Sequence, residues 1–162
     1  MTVIRQAVPR DAEAVAAIWN PYIAKTTVTF TTELKSSEML ADTIRARLPA
    51  FLVADSGADG ALAGFATYGT FRAGPGYAQV MEHTVLLAPE AAGQGLGRAL
   101  MTALEQIARQ AGIYSLIGAV SGENGPGLAF HRAIGFAEVG RLPEAGCKFG
   151  RRIDLVLMQK RL

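Results

Sequence analysis

An α+β fold, with a mixed and mainly antiparallel sheet flanked by helices, is what three features of this sequence predict. Apolar runs of strand length recur along the chain. Two amphipathic helical patterns separate the first of these runs from the second. A third helix, from about Leu96 to Ala111, leads directly into a further run, which is the order expected when a helix crosses between parallel strands. The chain has 162 residues. That length fits one domain, 1–162, since domains usually hold about 100–200 residues.

Each element follows from local chemistry. TVIRQA (residues 2–7) reads as a strand. After Pro9, Val15, Ile18, Trp19 and Tyr22 recur at helical spacing behind Asp11, a suitable N-cap. Ser36 or Ser37 caps a second helix whose buried stripe is Met39, Leu40, Ile44 and Leu48, and which ends before Pro49. FLVAD (51–55) and ALAGFATYGTF (61–71) flank SGADG, whose residues favour turns, so a hairpin is expected. YAQVMEHTVLL (77–87) continues the meander until Pro89. Gly112 stops the third helix, and YSLIGAV (114–120) is the strand after the crossover. A short helix over LAFHRAI (128–134) and two closing strands, FAEVGRL (136–142) and RRIDLVLMQ (151–159), complete the chain.

Composition narrows the function. Half of the residues are hydrophobic and 19% are charged, a globular balance. The net charge of +2 comes without a dense basic run, which argues against nucleic acid as a partner. Lys148, Arg151, Arg152, Lys160 and Arg161 are spread along a terminal strand and read as a solvated face. One cysteine, Cys147, cannot form an internal disulfide, and the N-terminus lacks the pattern of a signal peptide; a reducing cytoplasm is expected. No apolar run approaches the ~20 residues that cross a bilayer. Two histidines and one cysteine make no convincing metal constellation.

The stretch LAPEAAGQGLGRAL, from Leu87 to Leu100, places Gly93, Gly95 and Gly97 at a helix entrance. Glycine there allows positive φ and close approach, so several N–H groups can converge at the positive end of a helix and hold phosphate. A P-loop would need Lys followed by Ser or Thr after its last glycine, where this chain has Arg98 and Ala99. A dinucleotide fingerprint would need an early strand and an acid about twenty residues on; no Asp or Glu lies between Glu105 and Glu123. Two readings remain: a glycine-rich turn without a ligand, and a pyrophosphate loop for coenzyme A.

Four stretches bear on that choice: IWNPYIAKTTVTF, YGTFRAGPGYAQVMEHTVLLAPEAAGQGLGRALM, SGENGPGLAFHRAIGF and GCKFGRRIDLVLMQ. In these the sequence resembles the GNAT-superfamily N-acetyltransferases, and within them the phosphinothricin and methionine sulfone/sulfoximine N-acetyltransferase group. The resemblance implies the GNAT acyl-CoA N-acyltransferase fold, acetyl-CoA as cosubstrate, a small-molecule amine as partner and a homodimer. It places the pyrophosphate on the backbone of Gly93, Gln94, Gly95, Leu96, Gly97 and Arg98. It pairs the pantetheine arm with Val85, Leu86 and Leu87, and it gives Asn124 a hydrogen bond to the cofactor; Asn124 could equally cap the following helix. The family's motif opens with Gln or Arg, where this chain has Ala92, and relatives commonly carry Ser where it has Gly127 and Trp where it has Arg152.

Acetylating an amine requires a neutral nitrogen, so a group must take a proton. Glu82 is a carboxylate in an otherwise apolar strand, costly unless it lines a cavity or has a partner, and it aligns with the glutamate the group is thought to use as general base. The alternative is a solvent-facing or ion-paired carboxylate. His131 is the second candidate for proton transfer, against an ordinary packing role; His83, next to Glu82, should face the other side of the sheet. Backbone N–H groups of Val85–Leu87 would meet the oxyanion. For the substrate, the resemblance nominates Arg72 to hold a carboxylate, with Phe30, Phe71 and Tyr77 as pocket wall. The reading is direct acetyl transfer to the α-amine of a small amino-acid-like compound. Its rivals are a non-catalytic acyl-CoA-binding sensor, an acetyltransferase for peptide N-termini or polyamines, and an acyl-enzyme on Cys147.

Overall fold

The computed structural model describes residues 2–57 and 59–162. The strands are β1 (Val3–Gln6), β2 (Phe51–Asp55), β3 (Leu62–Thr70), β4 (Val80–Leu87), β5 (Ser115–Ser121), β6 (Ala137–Lys148) and β7 (Arg151–Arg161). The helices are α1 (Ala12–Lys25), α2 (Ser37–Arg47), α3 (Leu96–Gln110) and α4 (Gly125–Ala133). All seven strands lie in one sheet, ordered β1-β2-β3-β4-β5-β7-β6. Every pairing is antiparallel except β4 with β5, the pair joined through α3. This is the mixed, mainly antiparallel sheet that the sequence predicts.

Two layers of helix cover the sheet. On one face α1 and α2 bury Val15, Ile18, Leu40 and Ile44 against Phe51, Val53 and Phe65. On the other, Leu100, Met101, Leu104 and Ala108 of α3 pack with Leu128 of α4 against Leu52, Ala66, Leu116 and Val156. Strand residues alternate between these faces.

Several local outcomes differ from the sequence reading. Met39 and Leu48, expected in the buried stripe of α2, are exposed, and only Leu40 and Ile44 of that stripe are buried. Lys148, read as part of a solvated face, is buried because its ammonium donates to Thr29 O. Asp11 does not cap α1. Its carboxylate accepts instead from the guanidinium of Arg5 at 2.8 and 2.9 Å and from the Val8 amide at 2.8 Å, tying the helix entrance to β1. The short helix α4 begins three residues before Leu128, because Asn124 caps it and Pro126 suits its first turn. Strand β6 runs on to Lys148, beyond the predicted Leu142. Register shifts between Leu142 and Gly146 absorb Pro143 and the positive-φ Glu144, and pairing with β7 resumes up to the Phe149–Gly150 turn.

The feature that makes a site is a separation of strands. β4 pairs with β3 from Met81 to Leu87, but with β5 only over Val80, Met81 and Glu82. Beyond Glu82 the two parallel strands part, and the sheet opens from face to face.

Candidate active site

A cleft of about 280 Å³ fills the opening, lined by Glu82–Leu86 of β4, Gly118–Ser121 of β5, Asn124, His131, Trp19 and the loop residues Val28, Thr29 and Phe30. Alternation along β4 gives it two sides. Val85 and Leu87 pack with the α3/α4 layer, whereas Leu86 packs with the α1/α2 layer. His83 shares the first side and Glu82 the second, as the sequence suggests.

The α3 side is built from backbone. Gly93 and Gly95 hold φ of 76° and 78°, a left-handed conformation that suits only glycine well. α3 starts at Leu96, and its first backbone bond outside the helix is Ala99 N–H to Gly95 C=O at 3.1 Å. The amides of residues 93–98 meet no carbonyl of the described residues. Six N–H groups at a helix N-terminus make an anion cradle, so the residues present fit a pyrophosphate. Gly97 lets α3 approach α4: a Cβ there would lie 3.2 Å from the Phe130 ring. Gln94 and Arg98 fasten the loop through Glu90 O at 2.9 Å and Ala133 O at 3.1 Å. The parting of β4 from β5 leaves the edge at Val85–Leu87 without a strand partner on that side; Tyr22 donates its hydroxyl to Leu87 O at 2.7 Å.

Asn124 takes the capping role that the sequence left open. Its Oδ1 accepts from Gly127 N–H at 3.0 Å as the α4 cap, and its side chain also lines the cleft. A Cβ at Gly127 would overlap the Asn124 amide, which accounts for glycine here in place of a hydroxyl residue.

His83 and His131 face one another with Nε2 atoms 2.9 Å apart. His131 Nδ1 lies 2.7 Å from Gly127 O, and a carbonyl only accepts, so Nδ1 carries the proton. In the neutral ring Nε2 is then an acceptor, and His83 must donate Nε2–H to it. The Nδ1 of His83 has no hydrogen-bond partner among the described residues. Burial, reinforced by His131, pushes the His83 pKa down to about 3, while the Ile117 carbonyl opposes weakly; burial also lowers His131. The pair is neutral near pH 7, and both nitrogens of His131 are engaged. Gly118 makes room for it: a Cβ there would stand 3.0 Å from His131 Nε2 and 3.0 Å from His83 Cε1.

On the α1/α2 side, Glu82 lines the cleft mouth as an exposed residue, yet partial desolvation of its carboxylate raises its pKa while the nearby Arg47 cation pulls it down. Of the residues nominated for the substrate, Phe30 lines the cleft; Phe71, Arg72 and Tyr77 lie on the β3–β4 connection and line none of it. The Arg72 guanidinium stacks on Tyr77 at 5.5 Å and is exposed. That connection carries Gly74 at φ 112° and a short 3₁₀ turn over Pro75–Tyr77, in which no residue is buried. The cleft wall comes instead from residues 28–30, held where Phe30 lies on Gly146, Lys148 donates to Thr29 O at 2.7 Å and Thr27 donates to Glu123 at 2.9 Å. Trp19, Thr29 and Gly118 line the cleft although the sequence reading assigns none of them to the site: Trp19 reads as helix core, Thr29 only as part of a resembling stretch and Gly118 as strand. Cys147 is exposed on β6, away from the cleft.

A phosphate cradle at a helix N-terminus, beside an opened strand edge with a carboxylate across it, is the arrangement of a transferase that takes its group from a phosphate-bearing carrier. Comparison with known proteins identifies which. Residues 4–157 match the acetyltransferase (GNAT) domain, and the chain belongs to that family, whose members take the acetyl group from acetyl-CoA. It is 34% identical to the L-methionine sulfoximine/L-methionine sulfone acetyltransferase of Pseudomonas aeruginosa, over 98% of this chain and 94% of that one. It is 31% identical to the L-amino acid N-acyltransferase MnaT of Escherichia coli, over 98% and 93%. The solved GNAT-superfamily phosphinothricin acetyltransferase of Sinorhizobium meliloti, in complex with acetyl-CoA, superposes with a TM-score of 0.92 at 28% identity, over 99% of this chain and 88% of that one.

Proposed function

We propose that this enzyme acetylates the α-amine of a small amino acid such as methionine sulfone, methionine sulfoximine or phosphinothricin, with Glu82 as general base. The observation that carries the reading is a pair of features on one strand: β4 brings Glu82 to the cleft at its opening from β5, and the chain that leaves β4 enters α3 through the free amides of residues 93–98. The amides of Gly93–Arg98 hold the pyrophosphate of acetyl-CoA, the edge of Val85–Leu87 pairs with the pantetheine arm, and Asn124 donates to the cofactor from the α4 cap. Glu82, directly or through a water, removes the proton from the nitrogen. As the N–C bond forms, the C–S bond breaks and sulfur leaves as the thiolate. A backbone N–H of Val85–Leu87 faces the developing oxyanion. His131, held by Gly127 and His83, keeps this wall polar and uncharged, so the proton passes to Glu82.

Names of the relatives support the substrate class, since both curated proteins act on amino acids or their analogues. A cytoplasmic homodimer completes the reading; β6 is a free sheet edge exposing Val139 and Leu142. The test is release of free thiol from acetyl-CoA across a panel of amino acids, peptides and polyamines. Release with methionine sulfone or phosphinothricin is expected; binding of acetyl-CoA with no release for any amine would make the protein a sensor instead.

A further inference from the structure

The geometry points to Arg47 as the residue that holds the substrate's carboxylate while Glu82 receives its amine. This rests on the reading of the cleft as an amino-acid acetylation site and adds the residue that would select the acid.

Arg47 closes α2, and its guanidinium lies flat on the backbone of Gly69: a Cβ there would stand 2.8 Å from Nη2, 2.9 Å from Cζ and 3.2 Å from Nε. Gly69 is register-opposite Glu82 in the β3–β4 ladder. The cation and the carboxylate therefore lie over neighbouring strands on the same face. Among the described residues no carboxylate comes within 4.0 Å of Arg47, and its N–H groups meet no acceptor. The other arginines without a carboxylate partner, Arg10, Arg72, Arg98, Arg152 and Arg161, are all exposed; Arg47 is half-buried.

A half-buried guanidinium with Glu82 nearby but no anion in contact leaves its donors unmet, and its planar fork matches a carboxylate in a bidentate pair. An α-amino acid carries its amine and its carboxylate on one carbon, so the groups that receive them must be neighbours. Arg47 and Glu82 meet that condition through the Gly69–Glu82 register, whereas the exposed Arg72 guanidinium is stacked on Tyr77.

The experiment compares L-methionine sulfone with its carboxamide, which keeps the amine and side chain but loses the charge. Wild type should favour the acid. Arg47→Met, which keeps the apolar stem, should raise KM for the acid roughly 10- to 100-fold and leave KM for the carboxamide and the affinity for acetyl-CoA unchanged. Arg47→Lys, which keeps the charge without the fork, should fall between, and it serves as the folded comparison if Arg47→Met melts early. Unchanged preference for the acid in folded Arg47→Met would overturn the assignment, as would loss of that preference in Arg72→Ala alone. A wild type that binds acetyl-CoA but acetylates no amine would instead overturn the functional reading beneath it.

Discussion

The two sides of the cleft are made of different material. Toward α3 the site is backbone: amides of residues 93–98 and the β4 edge, shaped by glycines whose side chains are absent by necessity. Toward α1 and α2 it is side chain: Glu82, Trp19 and Phe30 line it from a strand, a helix and a loop, and Arg47 of a second helix lies over Gly69, the register partner of Glu82. A backbone cradle can serve a constant carrier in many sequences, whereas a side-chain wall can change with each acceptor amine. Variants should separate the two.

The largest expected effect lies at the Glu82 end. Glu82→Gln should lower kcat by about 10²–10⁴-fold with the acetyl-CoA dissociation constant unchanged. In the wild type, activity should fall as pH drops through the Glu82 pKa, because protonation removes the base. That limb of kcat/KM should lie above the ordinary carboxylate value of 4.5, since burial raises the group. Equal loss of cofactor binding in Glu82→Gln would erase the division between the sides.

Next comes the cradle. Gly95→Ala forces a side chain into φ 78°, at a cost of roughly 1–2 kcal/mol. Acetyl-CoA should bind about tenfold more weakly, with kcat at saturation retained, as read by calorimetry and thiol release. The opposite pattern would place the carrier elsewhere.

How much of this was legible in the residues follows the same division. All seven strands and four helices announce themselves by apolar periodicity, and the cradle by glycines at 93, 95 and 97, because both are local properties of the chain. The end of β6 was not legible: Pro143 and Glu144 break the alternation, and the strand exists because β7 pairs with it. The His83–His131 pair spans 48 positions and exists only because β4, β5 and α4 meet at Gly118. Arg47 looks like any cation in the last turn of a helix, and only the register of Gly69 with Glu82 gives it a site. Arg72, nominated by resemblance, is exposed and stacks on Tyr77 rather than lining the cleft.

Two smaller effects sharpen the comparison. Both histidines are held below their unfolded pKa, so as pH falls below about 6.5 the unfolded chain takes up protons that the native pair refuses. Stability should therefore rise with pH in that range, by up to about 1.4 kcal/mol per unit for each such proton. His83→Phe should show a shallower slope than wild type in denaturant melts at successive pH values; an equal slope would mean that the pair is not held neutral. Smaller still, Gly146→Ala places a methyl where the Phe30 ring lies. It should raise KM for the amine about threefold through a displaced loop, and leave acetyl-CoA binding untouched.

The most direct test is an amide NMR titration of the wild-type protein with acetyl-CoA. A saturable one-to-one shift concentrated in residues 93–98 and 85–87, with the Arg47 and Gly69 amides nearly still until a methionine sulfone analogue is added, is the predicted result. No saturation, or acetyl-CoA shifts centred on the Arg47 side, would contradict the account.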